Sequence, residues 1–285
     1  MRVRRGDRRA LRPPGPVSRL SSLHLLASWR RLSSWRRLGP EYLLGLAVTW
    51  PVSLLWRRVW SGQEHLPAGG VVLAANHLSV LDPVAVAHHL LRDLDRAPRF
   101  LVKSELFRGS GLVARVLCGA GQIPVERDTA EASKALDAAV AALGRGETVV
   151  IYPEGTVTRD PRHWPMAART GVARLALQSG APVLPLAQWG THEALRTVLR
   201  PFPRRTAAFR IGPPVDLSAF AGRPLTAEVL RDATDAVMDA LTAEVAVLRA
   251  ESAPAVRFDP RAGAGRRNAR TPAPAHAPAD ARRTA

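Results

Sequence analysis

The stretch Val71-Val72-Leu73-Ala74-Ala75-Asn76-His77-Leu78-Ser79-Val80-Leu81-Asp82-Pro83 decides the fold. Five uncharged apolar residues, three of them Val or Leu, read as a short strand. Asn76 and His77 then enter a turn. Asp82-Pro83 reads as the N-cap and first residue of a helix, because aspartate accepts free N–H groups and proline needs no N–H of its own. The same alternation of apolar run and helical pattern continues down the chain. It places strands at 71–75, 99–103, 121–125, 147–152, 182–186 and 206–211, and helices at 83–92, 111–119, 129–144, 170–179 and 226–250. In the last helix Leu230, Ala233, Val237, Leu241, Val245 and Leu248 recur at three- and four-residue steps, a stripe that faces a core. The expected class is α/β, a mixed sheet flanked by helices, rather than an all-helical bundle.

Each polar cluster follows a strand, where open α/β sheets carry their binding loops. In the first, Asp82 alone reads as a helix cap and His77 alone as a satisfied structural histidine. Five residues apart across a non-helical turn, the carboxylate can instead hold one imidazole nitrogen while the other faces substrate. With no nucleophile beside it, His77 would then act as general base on a substrate hydroxyl. The second cluster, Gly121 to Asp128, carries Arg127, a fixed bidentate cation suited to a phosphate monoester, or to pairing with Glu126 or Asp128. Lys103 ends the strand before it, and is one of only two lysines in the chain. The third cluster, Tyr152-Pro153-Glu154-Gly155-Thr156, offers a glycine that permits an unusual backbone angle and a glutamate that can accept from a hydroxyl. In the fourth, Pro182 and Pro185 fit only an edge or irregular strand lining a groove.

The chain has 285 residues, 46% of them hydrophobic, enough for one sizeable core with appended segments. Its net charge of +17 suggests nucleic acid, but the charge lies in the tails. Residues 1–40 contribute +10 and 252–285 contribute +5, leaving +2 for the middle. A basic binding module for nucleic acid or membrane surfaces is therefore a distant alternative. The single cysteine, Cys118, rules out an internal disulfide framework and argues against a cysteine-built metal site; no metal is expected.

Residues 1–20 and 252–285 hold too little apolar content to pack and read as disordered basic tails around a domain at 61–251. Between them, residues 21–60 hold five of the seven tryptophans and an uncharged run at 42–56. Fifteen helical residues reach roughly 22 Å against a hydrocarbon core of about 30 Å, and Pro51 would kink them. An interfacial helix pair is therefore expected ahead of a true span or a soluble packing helix, with tryptophans at the headgroup level and arginines drawn to anionic lipid.

In order and spacing the four clusters resemble the glycerolipid acyltransferases typified by 1-acylglycerol-3-phosphate acyltransferase. Asn76, His77 and Asp82 match that family's Asn-His-x-x-x-x-Asp block, and Gly121 to Arg127 is similar to its second. Tyr152 through Thr156 resembles its Pro-Glu-Gly-Thr block, and Val183 with Pro185 its last. Val157 departs, standing where the family has arginine, with Arg159 two positions on. The resemblance implies direct acyl transfer from acyl-CoA or an acyl carrier protein thioester to the sn-2 hydroxyl of 1-acylglycerol 3-phosphate, giving phosphatidic acid. His77 is the implied base and Asp82 its orienting partner. Arg127, helped by Lys103, would bind the phosphate. Glu154, Gly155 and Thr156 would shape the acceptor site, supported by Asn76, Ser79 and Pro185. Another lysophospholipid, an aminolipid or a glycolipid is the alternative acceptor. No cofactor is required, and backbone amides at 77–79 are candidate oxyanion donors. The implied place is the cytoplasmic face of the cytoplasmic membrane, peripheral or monotopic, with membrane lipid and the acyl donor as partners.

Overall fold

The computed structural model describes residues 56–109, 111–126, 132–193 and 205–261, with Ala47, Trp50 and Leu54 as single positions before them. The expected interfacial helix pair, both outer tails and Arg127 thus lie largely or wholly outside the described residues. The strands are β1 (Trp56–Ser61), β2 (Val71–Ala75), β3 (Pro98–Lys103), β4 (Ile123–Val125), β5 (Thr148–Ile151), β6 (Val183–Trp189) and β7 (Arg205–Ile211). The helices are α1 (Asp82–Leu94), α2 (Leu112–Gly119), α3 (Ala132–Gly144), α4 (Gly171–Ser179) and α5 (Ala227–Arg249).

The strands form one sheet in the order β1-β7-β6-β2-β5-β3-β4. All neighbours are parallel except β6 and β7, so the sheet is mixed, as the sequence led us to expect. β2 lies near its centre and every side chain of it is buried. Strand alternation divides those side chains between two cores. Val71, Leu73 and Ala75 pack with Ala85, Val86 and Leu90 of α1, while Val72 and Ala74 pack with Ala139 of α3, Leu175 of α4 and Val237 of α5. One helix covers the first face and three cover the second. Burial of each such Val or Leu is worth about 1.5–3 kcal/mol.

Three features depart from the sequence expectation. Residues 56–60, assigned there to the helical entry segment, begin the edge strand β1, which pairs in parallel with β7. Pro185 does not lie in an edge strand, because β6 is paired on both sides, with β2 and with β7. Its missing donor is tolerated because Pro185 faces the last rung of the β7 ladder, where its carbonyl still accepts from Gly212 N at 2.9 Å. Finally, residues 252–261 are tied to the domain. Phe258 O accepts from Ala167 N at 2.9 Å, and Arg257 donates to Asp235 at 2.8 Å and also to Asp239.

Candidate active site

Because β2, β5, β3 and β4 run parallel, their C-terminal ends share one edge of the sheet, and the polar clusters that follow them gather there. Asp82 settles its own role. The helix begins at Asp82 itself with Leu81 as N-cap, and the aspartate does not cap that helix. It turns back instead: Oδ2 accepts from His77 Nδ1 at 2.9 Å, Leu78 N at 2.6 Å and Ser79 N at 2.9 Å. Asp82 is fully buried, so its carboxylate holds the turn and fixes the imidazole with Nδ1 protonated, leaving Nε2 as the basic nitrogen. The His77 side chain is 15% exposed, and among the described residues its Nε2 makes no hydrogen bond. It stacks on Tyr152, with ring centroids 4.2 Å apart. Burial, followed by the nearby Asp82 charge, holds the Tyr152 hydroxyl well above its ordinary range.

Glu154 braces the turn from the neighbouring strand. Its Oε1 accepts from His77 N at 2.9 Å and its Oε2 from Met166 N at 3.1 Å. Burial pushes its carboxyl up to about 8, against the two N–H donors, with the Asp82 and Asp160 charges adding to the rise. Thr158 N donates to His77 O at 2.7 Å and completes the clamp. Gly155 has φ 73°, the left-handed value that the sequence suggested it was there to supply. Thr156 is half-buried on the same turn.

Asn76 acts inward. Its side chain accepts from Gln188 N at 2.8 Å and donates to Gln188 O at 3.0 Å, locking the end of β2 to β6. Ser79 Oγ accepts from Leu81 N at 3.2 Å and shapes the turn. The amides of 77–79, expected as oxyanion donors, are already engaged by Glu154 and Asp82 and cannot serve. Lys103 is exposed at the end of β3, on the same sheet edge as His77. Phe100 and Val102 point toward the α1 face and Leu101 toward the other, so alternation sends Lys103 to the face opposite His77. Pro185 lies level with Ala74 in the register and serves the sheet. No group of three or more His, Cys, Asp or Glu that could hold a metal occurs among the described residues.

Residues 57–189 match the family model described as acyltransferase. This stretch is similar to that family over just under half of the chain. No curated protein matches the chain. Among solved structures, the chain is similar to the crystal structure of the 1-acyl-sn-glycerophosphate (LPA) acyltransferase PlsC from Thermotoga maritima. The TM-score is 0.55 at 24% identity, over 81% of this chain and 89% of that one. The likeness shows the fold. Three contacts of the site escaped the sequence reading: the Tyr152 ring under His77, Gln188 as the partner of Asn76, and Arg169. Arg169 N donates to Pro153 O at 3.0 Å, and a Cβ placed on Gly155 would lie 3.5 Å from its Cδ and Nε. Tyr152 opens the third cluster, but its stacking on His77 has no local signal, and Gln188 and Arg169 reach the turn from distant parts of the sequence. Arg159, the sequence candidate for the charge missing at Val157, is exposed, and the arginine against Gly155 is Arg169.

Proposed function

We propose that the protein transfers a fatty acyl group from an acyl-CoA or acyl carrier protein thioester to the sn-2 hydroxyl of 1-acylglycerol 3-phosphate, yielding phosphatidic acid. The observation that carries this reading is the His77–Asp82 pair, its carboxylate buried and its outer nitrogen without a partner among the described residues. His77 Nε2 takes the proton of the glycerol hydroxyl as its oxygen attacks the thioester carbonyl. Asp82 stabilises the imidazolium. Collapse of the tetrahedral intermediate breaks the C–S bond, and the imidazolium returns its proton to the leaving thiolate, so no acyl-enzyme forms and no cofactor is consumed. The four-cluster resemblance and the activity of the Thermotoga protein support lysophosphatidate as acceptor. Arg127 is the proposed phosphate ligand. Val157 and the direction of Lys103 favour a second reading, in which the acceptor is another lysophospholipid, an aminolipid or a glycolipid.

The proposed location is the cytoplasmic face of the cytoplasmic membrane, peripheral or monotopic; among the described residues no helix is long and apolar enough to cross a membrane. Leu106, Leu112 and Val113 stand at least half exposed on α2 and the short turn that follows β3, an apolar surface suited to a lipid interface.

Purified His77→Ala should lose at least about two orders of magnitude in turnover, the usual range for a lost general base. Turnover near the wild-type rate would sink the reading. An acceptor panel with defined acyl donors separates the two acceptors, and indifference to lysophosphatidate would select the second.

A further inference from the structure

A cleft of about 630 Å³ lies between the start of α4 and the start of α5. Arg169, Arg174, Arg231 and Arg261 line it, with Thr170 and Leu230, and among the described residues no Asp or Glu lines it. Four arginines reach it by two routes. Arg169 and Arg174 flank the first turn of α4, while Arg231 comes from α5 and Arg261 from the segment that returns along it.

Among the described residues no carboxylate pairs with Arg174, Arg231 or Arg261. Ala227, Leu230 and Arg231 occupy one face of α5; Glu228, one turn before Arg231 and about 60° from it around the helix, makes no ion pair with it, and Asp232 projects about 100° from Arg231. Asp235 and Asp239, further along, are taken by Arg257. The N-terminus of α4 adds to the positive field, because Thr170 makes no side-chain cap and the first turn contains no acid. Like charges gathered around a cavity repel unless an anion joins them.

We propose that this cleft is a second ligand site, for a group carrying at least two phosphate charges, such as a pyrophosphate or a phosphomonoester. Planar guanidinium forks bind phosphate oxygens in pairs, which suits several arginines to one such ligand. The site is separate from the catalytic pair. α4 and α5 cover the face of the sheet opposite α1, whereas His77 follows the β2 residues that face α1. Arg169 is the link between them, since its stem lies against Gly155, one residue from the glutamate that braces His77. The ligand could be soluble, as in the pyrophosphate and 3′-phosphate of coenzyme A, or the headgroup of an anionic lipid.

The test is calorimetric titration of the full chain with inorganic pyrophosphate, then coenzyme A, then phosphatidic acid vesicles, compared with Arg174→Gln/Arg231→Gln. We expect saturable pyrophosphate binding at one site, weakened at least about tenfold in the double variant by loss of two charge-assisted contacts. A further gain with coenzyme A marks a soluble ligand; a gain confined to vesicles marks a lipid. Arg266→Gln/Arg267→Gln in the basic tail should leave the affinity unchanged. The proposal is overturned if binding is not saturable, if the cleft variant binds as tightly as wild type, or if the tail variant is the one that loses affinity. Should the double variant fold poorly, Arg231→Gln and Arg261→Gln, each at an exposed position, carry the same comparison.

Discussion

Asp82 shows how one residue can satisfy two readings of a sequence and only one geometry. As a helix cap its replacement would remove about 1 kcal/mol of stability and leave catalysis alone. Its oxygen instead accepts from His77 and from two amides of the preceding turn. Asp82→Asn should therefore keep most of the shape yet reduce kcat by about 10²–10⁴, since an amide neither fixes the tautomer nor stabilises the imidazolium. Single-turnover rates and thermal melts on one preparation would separate the readings, and a stability loss with normal turnover would restore the cap. Glu154 carries a second prediction. Its carboxyl is raised to about 8 by burial from an ordinary 4.5, so the folded state holds this proton more tightly than the unfolded chain. The contribution is complete below the unfolded value and fades as pH rises toward 8, by an amount on the order of a few kcal/mol. Burial holds His88 down to about 4, so that histidine opposes folding only as pH falls below its ordinary 6.5. The window from 6.5 to 8 thus belongs to Glu154. Wild-type Tm should fall across it and Glu154→Gln should stay flat there, at the constant penalty of one lost acceptor, about 1–3 kcal/mol. Equal slopes would show that Glu154 does not titrate in this range.

At the scale of elements, the sequence was readable wherever periodicity was local. β2, β3, β5 and β7, and the five helices given above, lie within a few residues of their expected bounds because apolar spacing alone defines them. β1 was not readable. Trp56-Arg57-Arg58-Val59-Trp60 carries the composition of a membrane interface, and an edge strand held by one neighbour needs no continuous apolar run. The proline rule failed at β6 because it counts strands and not rungs: Pro185 sits where the ladder to β7 has no further use for a donor. The site follows the same division. His77 and Asp82 were legible from a five-residue spacing, whereas Tyr152, Gln188 and Arg169 meet them through the order of strands in the sheet. α2 leads to a prediction of its own. Of its residues only Ala114 is buried, and Leu112 and Val113 are 50% and 60% exposed. If this helix rests on lipid, Leu112→Asp/Val113→Asp should lower sedimentation with anionic vesicles several-fold, each apolar side chain withdrawn being worth about 1.5–3 kcal/mol at most. Activity on a short-chain, water-soluble acceptor should be unchanged. Undiminished vesicle binding would move the contact elsewhere.

At the scale of the molecule, charge and fold are nearly independent. The tails hold most of the +17, and the domain between them carries the sheet and the His–Asp pair close to neutrality. The structure shifts where the last tail begins. Composition placed its start at 252, yet Phe258 O is bonded to Ala167 N, next to the Met166 whose amide holds Glu154. Residues 252–261 are thus one hydrogen bond from the clamp that braces His77. Two truncations separate these parts. Removing 262–285 should weaken binding to polyanions, because it takes away much of the C-terminal charge, while Tm and turnover stay at wild-type values. Removing 252–285 also deletes the Phe258 carbonyl and the exposed Arg257 pairs, which together are worth about 1–2 kcal/mol. For a domain of this size that lowers Tm by roughly 2–8 °C. Because the lost bond borders the Glu154 clamp, turnover should fall as well, and by more than the small unfolded fraction explains. If both truncations melt and turn over alike, the segment ending at Arg261 is tail after all, and the clamp on His77 is complete without it.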